Sequence, residues 1–238
     1  MSFPDLQEWR NRQGVVQGLA AYRNVAVTLT DGDYPERLTG MGVTEGIFET
    51  LGVDAALGRT FTPEETGPGG PRVAILTWGL WQRLFGGDPG IVGRVVGLQG
   101  EPHVIVGVMP EGFEFPWWSD LYVPLQEDAA AYARGTRNLR AVGRLAEGAT
   151  LEQARAALEG VQAALTVEYP ESHQGLGVYL NGYQDEERAY LREGLILLMV
   201  CVALVLVIAC VNVANILLAG ASGRGREMAL RRSLGAPR

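Results

Sequence analysis

A run of twenty-five residues without a single charge, Leu195 to Ala219 (LILLMVCVALVLVIACVNVANILLA), limits what this chain can fold into more than any other stretch. As a helix at about 1.5 Å per residue it would reach roughly 37 Å, enough to cross a hydrocarbon core of about 30 Å with some tilt. Buried helices of soluble proteins seldom hold more than about 14 apolar residues in succession. Sixteen of the twenty-five are Leu, Ile or Val. At about −0.3 to −0.6 kcal/mol each, they favour insertion by roughly −7 kcal/mol before polar residues are counted. The run predicts one transmembrane helix.

The flanking charges orient it. Arg224, Arg226, Arg231, Arg232 and Arg238 follow the run against one acid, Glu227, while the mixed, slightly acidic DEERAYLRE precedes it. Cationic flanks stay in the cytoplasm, so residues 1–193 are expected outside the membrane and 221–238 inside, with a single span between them. Residues 1–193 hold 15 Arg against 26 acids, and 194–238 hold 5 Arg against 1. An acidic outer domain is a poor binder of phosphate backbones, so nucleic acid is not an expected partner. All 20 basic residues are Arg, which removes the Walker A lysine, the Schiff-base lysine and the Ser-Lys dyad. Both cysteines, Cys201 and Cys210, fall in the apolar run, leaving the outer domain to packing alone, without disulfide or thiolate metal site. The opening MSFPDLQEWRNRQ has no charged start followed by an apolar run that could carry about 190 residues across a membrane. The chain is therefore expected to be a piece of a longer protein whose preceding segment supplies a first transmembrane helix.

Read in order, Pro4–Gln13 predicts a short helix with Leu6 and Trp9 on its apolar side. Tyr22–Thr30, with Val25, Val27 and Leu29 alternating, turns at Asp31-Gly32 into the strand ERLTGMGVT, making a β-hairpin. Thr44 is placed to cap the short helix EGIFETL, closed by Gly52, and Thr62-Pro63-Glu64-Glu65 starts another. After the turn-rich GPGGP come the strand RVAILT and the helix WGLWQRLFG, ending at Gly86-Gly87. RVVGL and HVIVGV form a second hairpin around residues 99–102. LYVPL is assigned to a sheet edge, because Pro124 cannot donate to a ladder. Asn138–Leu145 predicts a strand, and Thr150–Gln153 is a capping box opening a helix with Leu151, Ala154, Leu158, Val161 and Leu165 on one stripe. Gly175–Leu180 is expected as a last strand. Glu186–Glu193 is expected to start a helix continuous with the span, joining outer domain and membrane rigidly.

Catalytic chemistry finds little support. His103 and His173 lack HxxxH or HxxE partners and are expected to be ordinary surface or half-buried residues. GASGRG at 220–225 lacks the lysine and the GxSxG spacing of functional glycine-rich loops. Glu64/Glu65 and Glu186/Glu187 sit at helix starts, where acids suit the dipole. No cofactor or metal is expected. Phe113, Phe115, Trp117 and Trp118 form the densest aromatic cluster, suited to packing or to a partner-contacting edge. In the span, Asn212 and Asn215 at i, i+3, with Cys210 and Ala214 four apart, suit packing against another transmembrane helix. In RGREMALRRSLGAPR, Glu227 and Arg231 are spaced i, i+4 with Gly235 as a stop, either as a membrane-flanking cationic helix or as a docking element.

Together GVTEGIFETLGVDAALGRTF, VAILTWGLWQRLFGGDPGIVGRVVGLQGEPHVIVGVMPEGFEFP, LYVPL and VNVANILLAGASGRGREMALRRSLGAPR resemble the MacB/FtsX-like family of ABC transporter permeases. The resemblance implies an α+β extracytoplasmic domain over 1–185, in two subdomains with mixed sheets, hairpins and short helices. It implies a transmembrane helix with its extension over 186–220, and the cytoplasmic start of an FtsX-like permease domain over 221–238. It also implies a bacterial cytoplasmic (inner) membrane, further transmembrane helices, a second permease subunit in a dimer, contact with membrane lipid, an extracytoplasmic adaptor and a cytosolic ABC ATPase. Arg226, Glu227, Arg231 and Gly235 match the family pattern where that ATPase is contacted. The expected role is non-catalytic, with ATP hydrolysis in a separate ATPase driving movement of the outer domain and export of a hydrophobic or amphipathic substrate such as a drug, lipoprotein or peptide. The alternative is an FtsX-like interaction protein regulating an extracytoplasmic partner such as a cell-wall hydrolase; the GRxF and GVMPxGFxFP motifs favour the first.

Overall fold

In the computed structural model, residues 1–31, 34–113, 115–116, 118–128, 132–183 and 194–215 are described. They divide into two units, Met1–Leu180 and Asn181–Arg238. The first opens with α1 (Phe3–Arg12), whose start is fixed by a capping box: Ser2 Oγ accepts from Asp5 N and Asp5 Oδ2 accepts from Ser2 N, both at 3.3 Å. Leu6 is fully buried.

Then come β1 (Val16–Leu29), β2 (Glu36–Val43), α2 (Ile47–Leu51), β3 (Leu57–Gly58), α3 (Pro63–Thr66), β4 (Val73–Leu76) and α4 (Trp78–Phe85). A 3-10 turn at Pro89–Ile91 leads to β5 (Val95–Leu98), β6 (Glu101–Val108), β7 (Leu121–Pro124), β8 (Arg140–Leu145), α5 (Leu151–Glu168) and α6 (Pro170–His173). All eight strands join one sheet in the order β2-β7-β4-β6-β5-β1-β8, with β3 on β6, where two subdomains with mixed sheets were expected. Because β1 also pairs with β2 along Tyr22–Leu29, the path of pairings returns to its start. The return runs through the single pair Leu29↔Leu98, backed by Thr30 N→Gly97 O (2.9 Å) and Gln99 N→Thr28 O (2.8 Å).

Strand alternation sorts the core. Ala74, Leu76, Ile105, Val108 and Leu121 point to one face, packed with Leu80 and Trp81 of α4. Val73, Ile75, Val106 and Tyr122 point to the other, packed with Ile47 and Phe48 of α2. A third cluster joins Phe3 and Leu6 to Leu19, Ala21, Leu125 and Leu139. Glycine is required where β3 crosses β6: a Cβ on Gly107 would lie 2.3 Å from Arg59 O, and one on Gly58 2.2 Å from Val106 O.

Both expected hairpins are present. The second closes on Gln99 and Gly100, at φ 57° and 78°, the left-handed pair that a two-residue turn needs. The capping box Thr150–Gln153 opens α5, and Ala154, Leu158, Val161 and Leu165 are buried along the expected stripe.

Four expectations are corrected. β1 starts at Val16, six residues early, because β8 pairs with its first half across an irregularity at Gln17/Ala20. Thr44 does not cap α2, whose N-cap is Gly46; its Oγ1 instead accepts from Ala21 N at 2.8 Å, extending the β1–β2 ladder. β7 lies inside the sheet, parallel to β2 and antiparallel to β4; Pro124 is tolerated as its last residue, where the missing N–H ends the strand. Gly175–Leu180 forms no strand: Gly175 turns the chain at φ 76°, and Leu180 O is held by Arg155 at 2.7 Å.

The second unit contributes α7 (Gly194–Asn215), 22 residues with a mean hydropathy of 3.3 and nothing buried. The expected continuation over 186–193, the end of the run at 216–219 and the tail lie outside the described residues.

Candidate functional site

Helix α7 is the first candidate element, long and apolar enough to cross a membrane. Every residue from Gly194 to Asn215 is exposed within the structure, which is what lipid-facing or helix-facing side chains require before their neighbours are present. Cys210, Asn212, Ala214 and Asn215 all lie on it. At about 100° per residue the two asparagines and the two small residues fall on lines about 150° apart, so they address different sides. Arg226, Glu227, Arg231 and Gly235, and the loop at 220–225, lie outside the described residues.

The aromatic stretch after β6 divides by role. Phe115 is buried and edge-on to Tyr22, with ring centroids 5.0 Å apart, and Phe113 packs on Phe48 and Tyr122. Tyr122 Oη donates to Phe115 O at 2.6 Å. Trp118 stays half-buried and donates to Asn24 Oδ1 at 3.5 Å, on the wall of a groove of about 590 Å³. Trp117 lies outside the described residues. Arg23, Asn138 and Arg140 share that groove, and Arg23 is paired to Glu127 at 2.7 Å.

His173 is neither the surface nor the half-buried residue expected. It is 1% exposed, and its Nε2 lies 3.1 Å from Asp5 Oδ1 while its Nδ1 lies 2.9 Å from Ser172 Oγ. A ring with its hydrogen on Nε2 and a lone pair on Nδ1 can donate to Asp5 and accept from Ser172. Arg134 reaches Asp5 and Glu8, both at 3.4 Å, and lies 3.8 Å over the Tyr169 ring. Arg12 joins Glu8 to Glu168 at 2.8 Å each. The residue types of a hydrolytic triad meet here, but a ring sealed from solvent gives no substrate access. The set instead ties α1 to the end of α5 and to α6. Only Ser2 and Asp5 carried a sequence signal, the S-x-x-D spacing before an apolar run. His103 is an ordinary strand residue, its Nδ1 3.0 Å from Glu101 O.

Among the described residues no group of His, Cys, Asp and Glu could hold a metal ion. Glu64 is exposed, and Glu65 is buried, gripped by Arg59 through two bonds of 2.6 and 2.8 Å and accepting from Thr62 N at 2.9 Å. The Arg59 hydrogen bond, ahead of the helix-start N–H, holds the Glu65 carboxyl below the usual carboxylate range. A carboxyl lowered on folding stabilises the fold above its unfolded value of about 4.3, and that contribution is lost as pH falls through its lower folded value. The difference in urea midpoint between the parent and Glu65→Gln should therefore be full at pH 7 and shrink steadily below about pH 4. A gap that widens in acid would contradict this.

The MacB-like periplasmic core domain family model matches residues 1–161. Two Campylobacter jejuni proteins, each named macrolide export ATP-binding/permease protein MacB, align with the whole chain over 255 residues at 25% and 24% identity. The chain spans 37% of the length of these curated relatives. Among solved structures, the extracellular domain of the noncanonic ABC-type transporter YknZ from Gram-positive bacteria superposes with a TM-score of 0.55 at 23% identity, over 71% of this chain and 84% of that one. The periplasmic region of MacB from Actinobacillus actinomycetemcomitans gives 0.56 at 15% identity, over 73% and 76%. A domain of a putative permease protein from Porphyromonas gingivalis gives 0.51 at 14%, over 77% and 84%. At these identities the structures establish a shared α+β fold.

Proposed function

Given that this chain belongs to the MacB-like periplasmic core domain family, as an extracytoplasmic domain of an ABC transporter permease with one apolar helix that fits a single span, we propose that it transmits ATP-driven movement across the membrane to export a substrate. The boundaries proposed are 1–185 for the outer domain, 186–220 for the span with its extension and 221–238 for the cytoplasmic foot. A cytosolic ABC ATPase would bear on Arg226, Glu227, Arg231 and Gly235 and draw the cytoplasmic ends together. A helix running from about Glu186 to Ala219 would convey the movement outward, with residues 1–193 outside the inner membrane. Asn212 and Asn215 on one line, and Cys210 and Ala214 on the other, would seat neighbouring helices, including those of a second permease subunit. The substrate class that suits such a permease is hydrophobic or amphipathic; the relatives' names specify macrolide export for those proteins.

The observation that carries this reading is the union, in one chain, of a family-matched α+β unit over Met1–Leu180 and a wholly exposed, charge-free helix over Gly194–Asn215. In the complete permease with its ATPase, a flexible six-glycine insertion at Arg192 should leave ATP hydrolysis in place while export falls to background. Export at the parental rate would dismiss the lever.

A further inference from the structure

Strand β1 has an open edge in its middle. On the side away from β2, β8 pairs with it only as far as Tyr22 and β5 joins only at Leu29. Among the described residues no strand lies along this edge over residues 23–28. The opening is created by divergence. The chain entering β8 leaves β1 beyond Arg140, because Leu139 is drawn to the N-terminus: Met1 N donates to Leu139 O at 2.7 Å and Leu139 N to Met1 O at 3.1 Å. From the other direction comes Gln99, whose main-chain N–H donates to Thr28 O at 2.8 Å and whose side-chain Nε2 donates to Ala26 O. No strand pairs with roughly 20 Å of this edge at about 3.3 Å per residue, and Gln99 fills the end of that length nearest Leu29.

In an antiparallel ladder, alternate residues turn both main-chain groups to the same edge. Gln99 takes Ala26 O and Thr28 O on this side, so the even-numbered residues face the gap. Asn24 there presents its N–H and C=O, and Ala26 its N–H; both residues are exposed within a sheet strand. The groove of about 590 Å³ overlies the same residues, with Trp118, Asn138 and Arg140 on its walls. Among the described residues its lining holds two arginines and no acid, in a region where acids outnumber arginines 26 to 15. Arg23 is committed to Glu127, whereas Arg140 has no ion pair among the described residues.

We propose that this groove takes an extended acidic peptide segment of a partner protein, which adds to β1 at Asn24 and Ala26 and sets a carboxylate against Arg140. Strand addition draws affinity from main-chain bonds and specificity from alternate side-chain sites. The groove supplies both, with the half-buried Trp118 as the apolar wall. The inference concerns the outer unit alone and is independent of the lever.

The full chain in detergent should bind a capped, fluorescein-labelled hexapeptide of alternating glutamate and valine at least about tenfold more tightly than its lysine–valine counterpart, read by anisotropy. Arg140→Glu, a change at an exposed position, should abolish that preference. N-methylating every second peptide bond should weaken binding at least about tenfold in one of the two registers and leave the other unaffected. Because the last comparison alters only the peptide, it does not depend on any variant folding. Equal binding of acidic and basic peptides, insensitivity to N-methylation in both registers, or no binding at about 1 mM peptide would each overturn the proposal.

Discussion

Replacing Asp5 with alanine should lower the free energy of unfolding of the outer unit by about 3–5 kcal/mol, the range for removing one member of a buried charge cluster. Asp5 is 4% exposed and serves three partners: it caps Ser2 N, accepts from His173 and accepts from Arg134. Its loss leaves a sealed imidazole and a part-buried guanidinium with fewer acceptors, and an uncompensated buried polar group costs about 1–3 kcal/mol or more on its own. Asp5→Asn keeps a single acceptor oxygen, which can serve the cap on Ser2 N or the contact with His173 but not both, and should show a smaller deficit than Asp5→Ala. All five tryptophans precede residue 180, so urea unfolding followed by tryptophan fluorescence reads this unit even in the full chain. A domain of this size is stable by about 5–15 kcal/mol, so the Asp5→Ala shift should be plain. A deficit under about 0.5 kcal/mol would mean that water, not protein, holds the cluster together.

The second large effect belongs to α7. Leu204 and Ile208 lie one turn apart near its middle. An arginine at the centre of a membrane helix costs about 2.5–3.5 kcal/mol and forfeits about 0.5 kcal/mol of aliphatic gain. One such change should weaken insertion, and the pair Leu204→Arg with Ile208→Arg, a swing of about 6–8 kcal/mol, should cancel the roughly 7 kcal/mol that the aliphatic residues supply. The expected readout is extraction of the double variant from membranes by alkaline carbonate, with Leu204→Ala/Ile208→Ala remaining membrane-bound. A double-arginine chain that stays with the membrane would show that α7 is sheltered by protein rather than by lipid.

Local signals survived the passage from sequence to structure. The Thr150–Gln153 box, the α5 stripe, the Gln99-Gly100 turn and the Gly52 and Gly86 stops each depend on a few adjacent residues, and each stands where expected. Non-local facts did not survive so well. Pro124 argued for an edge because a single residue cannot reveal that β2 and β4 arrive from both sides. GLGVYL alternates like a strand, but alternation supplies no neighbour to pair with. His173 looked ordinary because the carboxylate it meets, Asp5, stands 168 positions away. The groove is the extreme case: Asn24, Gln99, Trp118 and Arg140 share no motif, and only the course of β1 brings them together.

The circuit of strands has one weak stitch. Elsewhere neighbours are joined by ladders of two to eight residue pairs, yet β1 meets β5 at Leu29↔Leu98 alone. Heat or tension should part the band first at this point, with the amides of Thr30 and Gln99 exchanging with solvent ahead of those in the β1–β2 ladder. The domain would thus breathe like a cuff with its fastening at one known place, letting its girth change while the long ladders stay whole.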